Sequence, residues 1–153
     1  MNEKALIEQF YTAFARADAE GMIACYHPDI EFEDPAFGPL KGADACNMWR
    51  MLVNPGLHLT FSKVQAAGDT GSAHWDARYV FSKTGNKVLN QVDASFVFRD
   101  GKIIRHTDRF DFWKWSRQAL GLPGLLLGWS PYLKNKVRQQ ALQRLAQFSA
   151  KAK

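Results

Sequence analysis

The fold is decided by residues 90–113, NQVDASFVFRDGKIIRHTDRFDFW, which have the pattern of two long strands. An Asp-Gly pair flanked by alternating apolar residues is the strongest short-range signal for a β-hairpin, and the pair at residues 100–101 predicts one here. Side chains alternate between the two faces of a strand, so Asp93 lies on a mixed face and His106 and Asp108 alternate with other polar residues. Acids within aromatic-rich strands are typical of a sheet that lines an apolar ligand cavity.

Length and composition indicate one globular domain. Of the 153 residues, 46% are hydrophobic and 13% are aromatic, which excludes a disordered chain and allows a sizeable core. The two cysteines, Cys25 and Cys46, are too few for a disulfide framework, and no Cys/His cluster predicts a metal or a cofactor. The N-terminus lacks a signal-peptide pattern and no apolar run reaches membrane-spanning length. We therefore predict a soluble cytoplasmic protein.

The spacing of apolar residues changes along the chain from a helical period to a strand period. Residues 3–17 predict an amphipathic helix, which a second, short helix follows; residues 30–34 alternate as a strand, and residues 37–42 predict a loop. A third helix is predicted over residues 43–53, and from Leu57 onward four antiparallel strands follow. This order predicts an α+β fold in which helices pack on a curved antiparallel sheet and leave a conical cavity.

At this point the chain resembles the NTF2-like superfamily, in its SnoaL-like and ketosteroid-isomerase branch, over residues 3–113. The resemblance rests on the order of elements, on the sequence Phe-Glu-Asp-Pro at residues 32–35, and on Asp93, which lies nine residues before Lys102. It implies that Asp34 is a general base, which moves a proton next to a carbonyl group. It also implies that Asp93 is a protonated acid, which donates a hydrogen bond to the developing oxyanion.

The same resemblance implies that Asp108 and His106 add ionisable groups to the cavity. Limonene-epoxide-hydrolase relatives carry an acid at the position of Asp108, and they carry an Asp/Arg pair that Asp76 and Arg78 match only in reverse order. The tyrosine that shares the oxyanion site in steroid isomerases corresponds to a phenylalanine here. The predicted ligand-binding residues are Phe10, Phe14, Trp75, Tyr79, Ser95 and Phe110.

Two functions remain open from the sequence. Asp34 before Pro35 would also initiate a turn without any catalytic role, and His106 with Asp108 would also form a structural hydrogen-bonded set. The first prediction is a SnoaL-like enzyme of isomerase, cyclase or epoxide-hydrolase type, which uses paired carboxylates for proton transfer on an apolar carbonyl or epoxide substrate. The alternative is a non-catalytic binder or carrier of an apolar ligand.

Positive charge is concentrated in residues 114–153, which contain eight basic residues and no acid, whereas the residues before them carry a net charge of −3. We predict that this segment is a basic helical extension packed on a domain formed by residues 1–113. Residues 120–153 combine an apolar stretch with an amphipathic basic helix, and they either cap the cavity or contact an anionic membrane. No motif predicts nucleic-acid binding. The family resemblance further implies a homodimer.

Overall fold

The computed structural model describes residues 2–151, which form six helices and six strands. Short polar side chains explain where several helices begin, since the side chains of Asn2, Asp18 and Asp111 each accept a hydrogen bond from a backbone N–H in the first turn that follows. In chain order the elements are α1 (Glu3–Ala15), α2 (Ala19–Ile23), β1 (Tyr26–Asp34), β2 (Gly38–Lys41), α3 (Ala43–Leu52), β3 (His58–Ala67), β4 (Thr70–Val80), β5 (Lys87–Arg99), β6 (Lys102–Arg109), α4 (Phe112–Leu120), α5 (Leu122–Leu127) and α6 (Pro131–Lys151).

The strands form one open, mixed sheet in the order β2-β1-β6-β5-β4-β3. The predicted hairpin between β5 and β6 is present, and both residues of its turn at 100–101 have positive φ, as a type I′ turn requires. Its register places Ala94 opposite Asp108 and Phe96 opposite His106, so these four side chains share one face. The helices pack on that face, which confirms the predicted α+β cone.

Three details of the predicted fold are wrong. The sheet is not wholly antiparallel, because β1 lies beside β6 and pairs with it in parallel. Residues 37–42 contain β2 instead of a loop, because the chain reverses after Asp34 and Gly38 pairs back onto that residue. The last strand ends at Arg109, since Asp111 caps α4 and so begins a helix within the predicted strand.

Aromatic side chains of α1 fill the closed end of the cone. Phe10 and Phe14 lie four residues apart on one face of the helix, and both are buried. The Phe10 ring stacks on that of Tyr26 with centroids 5.4 Å apart, and the Phe14 ring packs against Trp75 at 5.2 Å. The open space that remains therefore lies toward α3, β4 and α6.

Helix α6 packs against the body of the protein. Leu145 is buried in the main core, and Arg138 donates a hydrogen bond from Nη2 to the carbonyl oxygen of Pro35 at 3.3 Å. Gly38 has a φ of +73°, and a Cβ at this position would lie 3.1 Å from Nε of Arg138. The positive φ favours glycine at this turn, and a larger residue would also crowd the Arg138 side chain.

Helix α5 and its flanking residues leave apolar side chains in solvent. Leu126 is 58% exposed and Trp129 is 73% exposed. Within residues 2–151, no helix combines the length and the apolar character needed to cross a membrane. We use the name apolar patch for Leu122, Leu125, Leu126, Leu127, Trp129 and Tyr132, all of which are exposed.

Candidate functional site

A cavity of about 620 Å³ lies between the inner face of the sheet, α3, and the C-terminal helices. This volume is typical of sites for small organic ligands, and most of the lining is apolar or aromatic. Asp34 and Asp108 are the two acids among the described lining residues. The larger apolar and aromatic lining residues are Phe14, Phe37, Met48, Trp49, Trp75, Tyr79, Phe81, Phe110 and Trp115.

Asp108 lies on β6 at the inner wall of the cavity and is 3% exposed. Its Oδ1 accepts a hydrogen bond from Nε1 of Trp75 at 3.4 Å and lies 2.8 Å from Nε2 of His106. His106 and Asp108 point to the same side because they are two residues apart on one strand. These contacts hold the carboxyl group in one orientation, with Oδ1 toward the protein.

A chain of buried hydrogen bonds continues from Asp108 behind the cavity wall. The Tyr26 hydroxyl lies 2.7 Å from Nδ1 of His106, and Nε1 of Trp49 donates to that hydroxyl at 2.8 Å. Trp49 can only donate, so the Tyr26 hydroxyl accepts from it and has its own proton available to donate to Nδ1 of His106. In this arrangement His106 accepts at Nδ1 and donates Nε2–H to Asp108. The N–H and O–H groups of Trp49, Tyr26 and His106 then each have an acceptor.

Asp34 ends β1 at the cavity wall and forms the turn that the Asp-Pro pair predicts. Its Oδ1 accepts a hydrogen bond from the Phe37 backbone N–H at 2.6 Å. Burial raises the pKa of Asp34 to about 7; the charge of Asp108 also raises it, whereas the Phe37 hydrogen bond and the nearby Arg138 lower it. Asp34 therefore both forms the turn and provides an ionisable group at the cavity wall.

The predicted positions of Asp93 and Ser95 in the cavity are wrong. The pairing of Ala94 with Asp108 turns Ala94 inward, and strand alternation then turns its two neighbours to the outer face. The Asp93 side chain is 83% exposed and lies 2.8 Å from Nδ1 of His74, a contact that raises the pKa of His74. Asp93 is thus in the wrong place for the predicted oxyanion role.

Some of the other predicted site residues line the cavity, and others are buried behind its wall. Phe10 is fully buried behind the wall, where its ring meets that of His106 edge-on at 5.4 Å. His106 is also fully buried and reaches the cavity through Asp108. Their roles in binding and catalysis stay predictions. The predicted residues that line the cavity are Asp34, Asp108, Phe14, Trp75, Tyr79 and Phe110.

Sequence reasoning missed the groups that support Asp108 from behind. Trp49 shares a buried side of α3 with Ala45 and Met48, and this helical spacing could have indicated it. Tyr26 lies outside the strand predicted over residues 30–34, whereas it begins β1. Tyr11 is also fully buried, and its hydroxyl has no hydrogen-bond partner within the described part of the chain. Burial raises the pKa of Tyr11 well above its usual range.

The fold and the cavity define a small-molecule pocket protein of the α+β cone type. A family model described as the SnoaL-like domain matches residues 7–106. The chain therefore belongs to the SnoaL-like family, within the NTF2-like superfamily.

Solved structures of low sequence identity share this fold. An LEH-like epoxide hydrolase from M. tuberculosis is 21% identical, with a TM-score of 0.64 over 80% of this chain and 93% of that chain. A candidate polyketide cyclase from Xanthomonas campestris pv. campestris is 21% identical, with a TM-score of 0.62 over 74% and 93%. An NTF2-like protein from Burkholderia pseudomallei is 20% identical, with a TM-score of 0.63 over 72% and 92%. Among curated proteins, none matches the chain.

Proposed function

We propose that this protein is an enzyme that transfers protons on an apolar carbonyl or epoxide substrate bound in the cavity. The observation that carries the proposal is that Asp34 and Asp108 line the same, largely apolar cavity. Two carboxyl groups can act as acid and base only if their environments differ. Here burial raises the pKa of Asp34 to about 7, whereas Asp108 is held by N–H donors. Membership of the SnoaL-like family supports the proposal.

In the proposed reaction, protonated Asp34 donates a hydrogen bond to the substrate oxygen. Asp108 removes a proton from the adjacent carbon, and the electron pair of the broken C–H bond moves toward the oxygen. A donor at the oxygen stabilises the charge that develops there. Return of the proton from Asp108 to a different carbon completes an isomerisation. With an epoxide, Asp108 takes the proton of an attacking water while Asp34 protonates the departing oxygen.

His106 and Tyr26 are positioning residues in this proposal. His106 donates to Oδ1 of Asp108, which fixes the carboxyl group and directs its other oxygen toward the substrate. Tyr26 holds His106 in the tautomer that can donate. Both residues lie behind the cavity wall, so they act on the substrate only through Asp108.

Exchange of protons next to a carbonyl group tests the proposal directly. With 2-tetralone, a flat apolar ketone, in D₂O, we expect the wild-type protein to accelerate α-proton exchange by roughly 10² or more over buffer, followed by NMR. The matched control is Asp93→Asn, which should retain the wild-type rate because Asp93 lies on the outer face. Ketone that binds without faster exchange, together with no hydrolysis of styrene oxide, would instead support the alternative function, a non-catalytic carrier. The apolar lining of the cavity is what favours that alternative.

A second proposed function is peripheral contact with an anionic membrane through residues 120–153. The apolar patch is exposed, and the chain from residue 114 to residue 151 contains no acid that would repel anionic lipid. Arg117, which stacks over Trp113 at 4.2 Å, and Lys134 provide positive charge close in sequence to the patch. Leucine and tryptophan side chains supply apolar insertion, and each nearby basic residue contributes on the order of 1 kcal/mol.

Sedimentation with lipid vesicles tests this contact. We expect binding to vesicles of phosphatidylglycerol and phosphatidylcholine but not to phosphatidylcholine alone, and weaker binding at high salt. Leu126→Glu should lower binding roughly tenfold or more, because it places a charge where a leucine would enter the lipid. The control is Thr60→Glu, which adds the same charge at an exposed position of β3 outside residues 120–153. Equal binding of both variants, or binding to neutral vesicles, would contradict the proposal.

We further propose a homodimer and a cytoplasmic location. The family resemblance supports the homodimer. The two free cysteines support a reducing compartment. Sedimentation equilibrium would test the first proposal, since a single species with the mass of one chain at all concentrations would contradict it.

A further inference from the structure

The acidic and the basic side chains that line the cavity differ in their exposure to solvent. Asp34 and Asp108 belong to its buried or partly buried lining. Among the exposed lining residues, Lys83 and Arg144 are the only ionisable ones within residues 2–151, and both are cations. The exposed lining residues, which mark the mouth, are Leu52, Asn54, Gly56, Val80, Ser82, Lys83, Gln140 and Arg144.

Lys83 and Arg144 both lie at the mouth beside Gln140 of α6. Lys83, in the connection between β4 and β5, donates a hydrogen bond from Nζ to the side chain of Gln140 at 3.1 Å. Arg144 follows Gln140 by four residues on α6 and so lies on the same side of the helix. Within the described part of the chain, every salt bridge involves residues other than these two cations. No carboxylate of residues 2–151 therefore neutralises their positive charge.

We propose that the ligand is an amphiphilic anion, with an apolar body in the cavity and a carboxylate or similar anionic group at the mouth between Lys83 and Arg144. This inference rests on the proposed function, since it places the reacting carbonyl or epoxide at the inner acids. The separation of charge orients the ligand. An anionic group at the inner end would meet Asp108 in an apolar environment, where like charges repel strongly, whereas at the mouth it meets two cations in water.

A matched pair of fluorescent probes separates the anionic group from the apolar body. cis-Parinaric acid and its methyl ester share one apolar chain and differ in charge at one end, and both fluoresce more strongly in apolar surroundings. In fluorescence titrations at neutral pH, we expect the wild-type protein to bind the acid about tenfold more tightly than the ester, because each partly exposed ion pair contributes up to about fivefold. The preference should decrease as salt is added.

Substitutions at the mouth assign the preference to the two cations. Lys83→Gln and Arg144→Gln should each weaken binding of the acid roughly threefold, and the double variant should bind acid and ester about equally. Affinity for the ester should stay unchanged in all three variants. The control is Lys136→Gln on the same helix, which removes an exposed charge that does not line the cavity and should leave the preference intact.

Two results would overturn the inference, and they are distinguishable. If the wild-type protein binds the acid and the ester equally, the mouth does not select an anionic group and the inference is wrong. Binding of an apolar body in the cavity, and with it the proposed function, is then unaffected. The same conclusion follows if the preference survives in the double variant. If the protein binds neither probe, the inference fails, and the exchange assay with 2-tetralone decides the proposed function separately.

Discussion

Replacement of Asp108 with asparagine is expected to lower the rate of proton transfer by roughly 10² to 10⁴. The amide has the shape of the carboxyl group, and its Oδ1 can still accept from Trp75 and His106, so the local packing should remain. It cannot accept a proton at neutral pH, however, and the reaction loses its base. The 2-tetralone exchange assay measures the rate, and thermal unfolding should show a midpoint close to that of the wild-type protein.

The neighbouring hydrogen-bond chain supplies a graded comparison for this variant. Tyr26→Phe removes the donor to Nδ1 of His106 but leaves Asp108 with its carboxyl group and both N–H contacts. We expect a smaller loss of rate, about tenfold, because Nδ1 of His106 then lacks the hydrogen-bond donor that fixes its tautomer. An Asp108→Asn protein that exchanges protons at the wild-type rate would remove Asp108 from the reaction.

Much of the fold could be predicted from local pattern, because turns and strand alternation are short-range properties. The Asp-Gly turn and the period of two were enough to predict the β5–β6 hairpin. The same alternation also divided β5 into an apolar face with Val92 and Phe96 and a mixed face with Asp93. The apolar face is the one that packs against the helices, as burial of apolar surface requires. Asp93 is predicted to line the cavity because it is an acid in an aromatic-rich strand and because of its spacing in the resemblance. Neither observation indicates which face of the strand turns inward.

The support of Asp108 could not be predicted, since it depends on contacts between residues far apart in the chain. Tyr26 and His106 are 80 residues apart, and Arg138 reaches the turn after Asp34 across 103 residues. Periodicity predicts that a tyrosine or tryptophan is buried, but the partner of its polar atom depends on the parallel pairing of β1 with β6. That pairing joins strands that lie far apart in the sequence, so no local sequence pattern indicates it.

The pH dependence of stability should reveal the burial of Asp34. Burial raises the pKa of this group from an ordinary 3.8 to about 7, so the folded protein binds the proton more tightly than the unfolded chain does. The stabilisation from this group is therefore complete below pH 3.8 and is lost as the pH rises through 7. The difference between the two pKa values corresponds to about 4 kcal/mol in the free energy of unfolding.

Asp34→Asn isolates this contribution, because asparagine imitates the protonated carboxyl group and its Oδ1 still accepts from the Phe37 N–H. In urea unfolding the variant should match the wild-type protein near pH 4 and exceed it by about 4 kcal/mol above pH 8, with the difference growing through neutrality. The control Glu33→Gln, at an exposed position next to Asp34, should follow the wild-type protein at every pH. A constant difference between Asp34→Asn and the wild-type protein would show that Asp34 ionises normally. A buried acid whose ionisation lowers the stability near neutral pH is typical of a functional site. If Asp34 ionises normally, its proposed role in proton transfer loses this support.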